Sequence, residues 1–199
     1  MKVIGITGGI GSGKSRVLSY MEEQFDAVIC QADHVAWELQ APGQRCYLQI
    51  VEHFGREILQ DDETIDRKKL GQIVFNNNEE LLMLNTIMHP AVKEEIQNRI
   101  CNARENGSEY FIIEAALLLE DNYKQICDEL WYIYTSEPIR RQRLKESREY
   151  SDEKIDAIMA TQLSEEMFRK ACKIVIENND MFEETCKELD DAIETLGEN

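Results

Sequence analysis

One short segment constrains this chain more than any other: Gly8-Gly9-Ile10-Gly11-Ser12-Gly13-Lys14-Ser15, which fits G-x-x-x-x-G-K-[ST]. It follows the apolar run Val3-Ile4-Gly5-Ile6 and precedes Val17-Leu18-Ser19-Tyr20-Met21, a helix-like stretch. Strand, glycine-rich loop and helix in that order separate a phosphate-binding loop from a glycine-rich turn that merely closes a βα unit. Glycines let successive N–H groups point into one hollow, and the start of the helix adds positive dipole. A lysine there carries a mobile charge to the β and γ oxygens, and the serine hydroxyl can ligate Mg²⁺. The segment predicts a nucleoside triphosphate held by Gly9, Gly11, Ser12, Gly13, Lys14, Ser15 and Arg16.

The rest of the chain alternates short apolar runs with helical periodicity. Strands are predicted at 2–7, 27–30, 110–113, 130–134 and 173–176. Helices are predicted at 14–24, 33–40, 44–54, 66–75, 79–105, 136–147 and 151–161, from Ser164 onward, and at 180–196. Pro90 is expected to kink or restart the helix over 79–105. Such alternation implies an α/β fold with a parallel sheet covered on both faces. The stretch 33–105 is nearly all helical and reads as an insertion; Trp37, Phe54, Phe75 and Met88 within it are expected in its core, or lining a pocket for an apolar or adenine-bearing acceptor.

Composition narrows the class. Against 22 Lys and Arg stand 39 Asp and Glu, a net charge of −17, which argues against a general nucleic-acid binder. No apolar run is long enough for a membrane span, and a first strand beginning at Lys2 leaves no room for a signal peptide. The six cysteines (30, 46, 101, 127, 172 and 186) form no CxxC pair and read as reduced thiols of a cytoplasmic protein. The three histidines (34, 53 and 89) show no metal-ligand spacing, so no zinc site is expected.

Further residues carry candidate chemistry. Asp33 follows the second strand, and ligands of parallel α/β sheets sit beyond the carboxyl ends of strands. A carboxylate there can take the proton of an attacking hydroxyl, or it can simply cap the helix that follows. Glu114 ends the third strand, where an acid can hold a water on Mg²⁺ or be an ordinary strand-terminal residue. Residues 139–148 hold five basic side chains and one acid. On a helix Arg140 and Arg143 share one face, and Arg141, Lys145 and Arg148 another. One face is suited to close over phosphates; the other is suited to solvent.

These pieces, in this order, resemble the dephospho-coenzyme A kinase family over nearly the whole chain. The resemblance rests on Thr7–Ser15, Gln31-Ala32-Asp33, Pro42-Gly43, His53-Phe54-Gly55 and Leu84-Asn85 with His89-Pro90. It continues through Arg143, Ala160-Thr161-Gln162 and Val175-Ile176-Glu177-Asn178. It implies a three-layer P-loop kinase: a core of 1–32, 106–136 and 173–199, a helical coenzyme A substrate insertion at 33–105 and a helical lid at 137–172. It implies transfer of the ATP γ-phosphate to the ribose 3′-hydroxyl of dephospho-coenzyme A. By the same resemblance Asp33 is the base, Lys14 and Arg143 stabilise the moving phosphoryl group, and Ser15 ligates Mg²⁺. Asn178 lies near the adenine, and Asp33, Arg67 and His89 face the acceptor.

The chain departs from the family at Gln31, Arg16, Ala116 and Cys172-Lys173, and in one extra residue between Arg143 and Arg148. None removes a first-rank catalytic group. The departures leave open a P-loop kinase for another nucleoside or nucleotide, or a weakly active ligand-binding paralogue. A GTPase switch is disfavoured, because no N-K-x-D or T-K-x-D segment is present.

Overall fold

The computed structural model describes residues 1–120 and 123–197. They divide into two compact units, Met1–Ile29 with Ala103–Asn199, and Cys30–Asn102.

The first unit is organised by β1 (Lys2–Thr7), whose Val3, Ile4, Ile6 and Thr7 are all buried. A strand that is apolar along its length, without alternation, suits the middle of a parallel sheet with both faces covered. The five-stranded sheet runs β2 (Val28–Gln31), β3 (Tyr110–Glu114), β1, β4 (Glu129–Tyr134), β5 (Ile174–Glu177). The β1–β3, β1–β4 and β4–β5 pairs are parallel. One face packs on α1 (Lys14–Phe25), through Val17, Leu18 and Met21. The C-terminal helix Phe182–Gly197 joins that core through Leu189, Ala192, Ile193 and Leu196, spaced three and four residues apart. Three helices, Glu137–Arg148, Asp152–Ala160 and Glu165–Ala171, lie in the chain between β4 and β5. Serines cap the last two: Ser151 accepts from the Lys154 amide and Ser164 from that of Met167. Ser136 makes no side-chain cap; its own N–H donates to Asn179 Oδ1 at 2.8 Å.

At the amino ends of the strands, Lys173 pairs with Glu129, whose other oxygen accepts from Trp131 Nε1 at 3.2 Å. Lys173 precedes β5, at the opposite end of the strand from Asn178. Its departure from the family pattern is thus answered by a local acid, at the far end of the sheet from the phosphate loop.

The second unit contains α2 (Ala32–Leu39), α3 (Arg45–Phe54), α4 (Arg67–Asn76) and most of α5 (Asn78–Glu105). In chain order the three helices of the first unit that follow β4 are then α6, α7 and α8, and the C-terminal one is α9. A short antiparallel bridge, Leu59 to Ile65, precedes α4. Asp66 starts α4 by accepting from the Lys68 and Lys69 amides. Of the kink or restart expected at Pro90, the restart does not occur: α5 runs through it for 28 residues. Proline removes one hydrogen bond from the ladder, and burial of Met88, Ala91, Val92 and Ile96 around it keeps the helix intact. Phe54 and Met88 are buried as expected, whereas Trp37 and Phe75 are exposed, Phe75 at 87%. Periodicity marks an apolar helix face; it does not say how far a neighbouring element extends over it.

Candidate active site

Beyond Thr7 the backbone turns through Gly11 at φ 79° and Gly13 at φ 85°, left-handed values that L side chains rarely adopt. A Cβ on Gly13 would also lie 2.4 Å from Asn178 Nδ2. Gly13 is the N-cap of α1, it offers no side-chain acceptor, and the first turn of the helix contains no acid. The start of α1 therefore turns its positive dipole end toward the loop with no side-chain cap and no acid of its own to offset it. Ser15 and Arg16 stand exposed on that turn. The Lys14 ammonium donates to the Gly8 carbonyl at 2.8 Å and lies 3.8 Å from Glu114. Register explains the second contact, since Glu114 of β3 pairs with Ile6, just before the loop.

A buried polar network fixes the loop from beneath. Asn178 follows β5; its Nδ2 donates to the Ser12 carbonyl at 2.7 Å and its Oδ1 accepts from Thr185 at 3.2 Å. Thr135 follows β4, and its hydroxyl oxygen is within donating distance of the Ser12 carbonyl, at 3.1 Å, and of the Asn178 carbonyl, at 2.9 Å. Arg143, on α6, donates to the same Asn178 carbonyl at 2.9 Å and to the Thr135 hydroxyl at 3.4 Å. Its guanidinium reaches the Gly13 end of the loop, where a Cβ would lie 3.4 Å from Nη1. Burial, and then the charge of nearby Arg16, holds the Arg143 pKa below its ordinary value. Arg16 itself stacks on Phe182, 3.9 Å from the ring centre. From beyond α7, Gln162 accepts from the Ile10 amide at 3.1 Å.

Lys14, Glu114, Arg16, Arg143 and Asn178 thus converge on one loop within the first unit. Arg140, which helical spacing had put on one face with Arg143, joins them, and so do Thr135 and Gln162, which the sequence did not single out as site residues. Thr135 had only its place at a strand's carboxyl end to signal it; Gln162 had the A-x-Q segment, and Arg140 its helical spacing from Arg143. Asn178 stands under the loop, with both ends of its amide occupied.

Asp33, Arg67 and His89 belong to the second unit. Asp33 is exposed in the first turn of α2, and His89 is half-buried on α5. Arg67 begins α4, with its guanidinium 4.5 Å from the centre of the Trp37 ring. Trp37 also packs on His34, with ring centres 5.0 Å apart. Arg67 also lines a shallow pocket with Gln60, Thr64, Asp66 and Lys68. The exposure of Trp37 brings an aromatic face and a cation together, a surface suited to a planar or anionic group.

Residues 2–184 match the family model described as dephospho-CoA kinase. The dephospho-CoA kinase of Oceanobacillus iheyensis is 40% identical over 193 residues, covering 96% of each chain. Two solved structures share the fold. That of TT1252 from Thermus thermophilus has a TM-score of 0.84 at 23% identity, covering 98% of this chain and 96% of its own. The dephospho-CoA kinase from Campylobacter jejuni has a TM-score of 0.73 at 24% identity, covering 98% of each.

Proposed function

Because the chain belongs to the dephospho-CoA kinase family, we propose that it transfers the γ-phosphate of ATP to the ribose 3′-hydroxyl of dephospho-CoA. The observation that carries the reading is the phosphate loop itself: a helix start with no side-chain cap, an acid-free first turn, and Lys14 and Arg143 held against it.

In this reaction the 3′-oxygen forms a bond to the γ-phosphorus while the bond to the β-phosphate bridging oxygen breaks, releasing ADP. Little covalent chemistry is asked of the protein; positioning and charge do most of the work. Asp33 accepts the proton of the attacking hydroxyl. Lys14 leaves the Gly8 carbonyl for the β and γ oxygens, and Arg143 balances charge on the moving group. Asn178 and Thr135 act on ATP through the loop, fixing the Ser12 carbonyl and so the direction of the adjoining amides. Arg67 and His89 hold the acceptor, and the exposed Trp37 beside Arg67 offers it an aromatic face.

The Ser15 hydroxyl and the Glu114 carboxylate are hard oxygen ligands of the kind Mg²⁺ prefers, Glu114 through water. Bound there, Mg²⁺ would neutralise charge on the outer phosphates. Six free cysteines suit the reducing cytoplasm, and no helix among the described residues is long and apolar enough to cross a membrane.

The test is ADP release with ATP, Mg²⁺ and dephospho-CoA, beside a panel of nucleosides and nucleotides. Rapid turnover on dephospho-CoA, with product phosphorylated at the 3′ position, is the expected result. Turnover on another acceptor alone would reassign the substrate, and ATP binding with no turnover on any acceptor would make the protein a binding paralogue.

A further inference from the structure

Arg140 stands on the first turn of α6, three residues before Arg143, and wraps the other end of the loop. A Cβ on Gly9 would lie 2.0 Å from Arg140 Nη1, and one on Gly11 would lie 2.9 Å from the Arg140 carbonyl oxygen. Only bare glycine lets the guanidinium lie this close.

Packed so, the cation is left without a counter-charge. Its Nε is buried and makes no hydrogen bond, and no carboxylate among the described residues pairs with it. A buried polar atom of the loop itself, the Ser12 hydroxyl oxygen, also lacks a partner. Buried polar groups are nearly always satisfied, because leaving one unmade costs its desolvation. The neighbouring Arg141 has three acids, Glu137, Asp152 and Asp156. Described residues of an acidic chain that supply three carboxylates to one arginine and none to the next leave the second for an anion from outside.

We propose that Arg140 is a phosphate-binding residue, its guanidinium taking an oxygen of the outer, β or γ, phosphates of the bound nucleotide. The assignment to the outer phosphates follows from position. Arg143 meets the loop at Gly13, whereas Arg140 meets it at Gly9, beside the Gly8 carbonyl on which Lys14 rests. Lysines of such loops serve the β and γ oxygens, and Arg140 shares that end. The two lid arginines bracket the loop, one at each end. The inference rests on the ATP reading of this site, and adds a cation to it.

The experiment measures equilibrium binding of ATP and AMP to wild type, Arg140→Gln and Arg140→Lys, with melting of each ligand-free protein. Loss of a charge-assisted hydrogen bond predicts that Arg140→Gln weakens ATP about 10- to 100-fold. AMP, which lacks the outer phosphates, should change less than about twofold, ligand-free melting should hold, and Arg140→Lys should recover part of the loss. Equal losses for ATP and AMP, or no loss for ATP, would overturn the proposal. A packing role alone would lower ligand-free melting and affect both nucleotides alike. Should the variants misfold, the ¹⁵Nε resonance of Arg140 in wild type decides: it should shift with ATP and not with AMP, and no shift at ATP saturation overturns the assignment. Wild type that binds no ATP would overturn this inference together with the nucleotide reading. Wild type that binds ATP but leaves dephospho-CoA unphosphorylated would overturn the acceptor alone.

Discussion

The two faces of α6 are built from the same residue types and treated in opposite ways. On the outward face Arg141 donates to Glu137 at 2.8 Å, lies 3.7 Å from Asp152 and contacts Asp156, while Lys145 meets Asp152 at 2.8 Å. On the inward face Arg143 is half-buried and bonds only neutral oxygens, a backbone carbonyl and a hydroxyl. Its burial disfavours the charge that the outward neighbours stabilise. In a chain of net charge −17 the acids are plentiful, so an inward face kept clear of them is a property of this arrangement. Pairing ties the outward face to α7. Among the described residues no such pairing is made by the inward face.

The largest expected effect sets the scale for that contrast. Asp33→Asn should cut turnover by about 10²- to 10⁴-fold, the usual contribution of a general base, with ATP affinity nearly unchanged. Unchanged turnover would remove Asp33 from the mechanism. Next comes Arg143→Gln, which should lower kcat by about 10²- to 10³-fold, as loss of one preorganised donor does. Unlike Asp33→Asn it should also weaken ATP, because Arg143 belongs to the loop network. If its kcat stays within a few-fold of wild type, the inward face is a scaffold and the contrast fails.

The contrast between the faces was legible in the sequence because it is local. Residues 140 and 143 fall on one side of any helix, and 141, 145 and 148 on another. The glycine-rich loop was legible for the same reason: its chemistry lies in consecutive residues after a strand. The network under it was not, since it joins Ser12 to Thr135 and Asn178 across 123 and 166 residues. Only the parallel pairing of β1, β4 and β5 brings their carboxyl ends together. Lys173 shows the same limit from the other side. As a departure from a pattern it read as a threat to function, until Glu129 stood beside it. Exposure of Trp37 was equally unreadable, because helical spacing cannot show where the covering stops.

Asn178→Ala tests the layer between the two extremes. It strips the Ser12 carbonyl of its amide donor and the Thr185 hydroxyl of an acceptor, in a buried place. Unsatisfied buried groups cost about 1–3 kcal/mol each, so thermal unfolding should come several degrees earlier. ATP binding should weaken while turnover at saturating ATP changes less than in Arg143→Gln. If kcat collapses instead, Asn178 touches the reacting groups and is more than a support of the loop. Calorimetric melting and a KM-against-kcat comparison on the same variant separate the two.

The smallest effect is expected on the outward face. Arg141→Gln leaves Glu137, Asp152 and Asp156 without their shared cation, yet all four groups are open to water, where such pairs contribute little. Turnover should stay within about twofold of wild type, and the melting difference should shrink as salt screens the remaining acids. Loss that persists in high salt would mean that the arginine holds α6 and α7 by packing its stem. A fall in turnover as large as that of Arg143→Gln would show that the outward pairs aim the inward cations. The two faces would then act as one device, since an α6 that turns on its axis carries Arg140 and Arg143 away from the loop together.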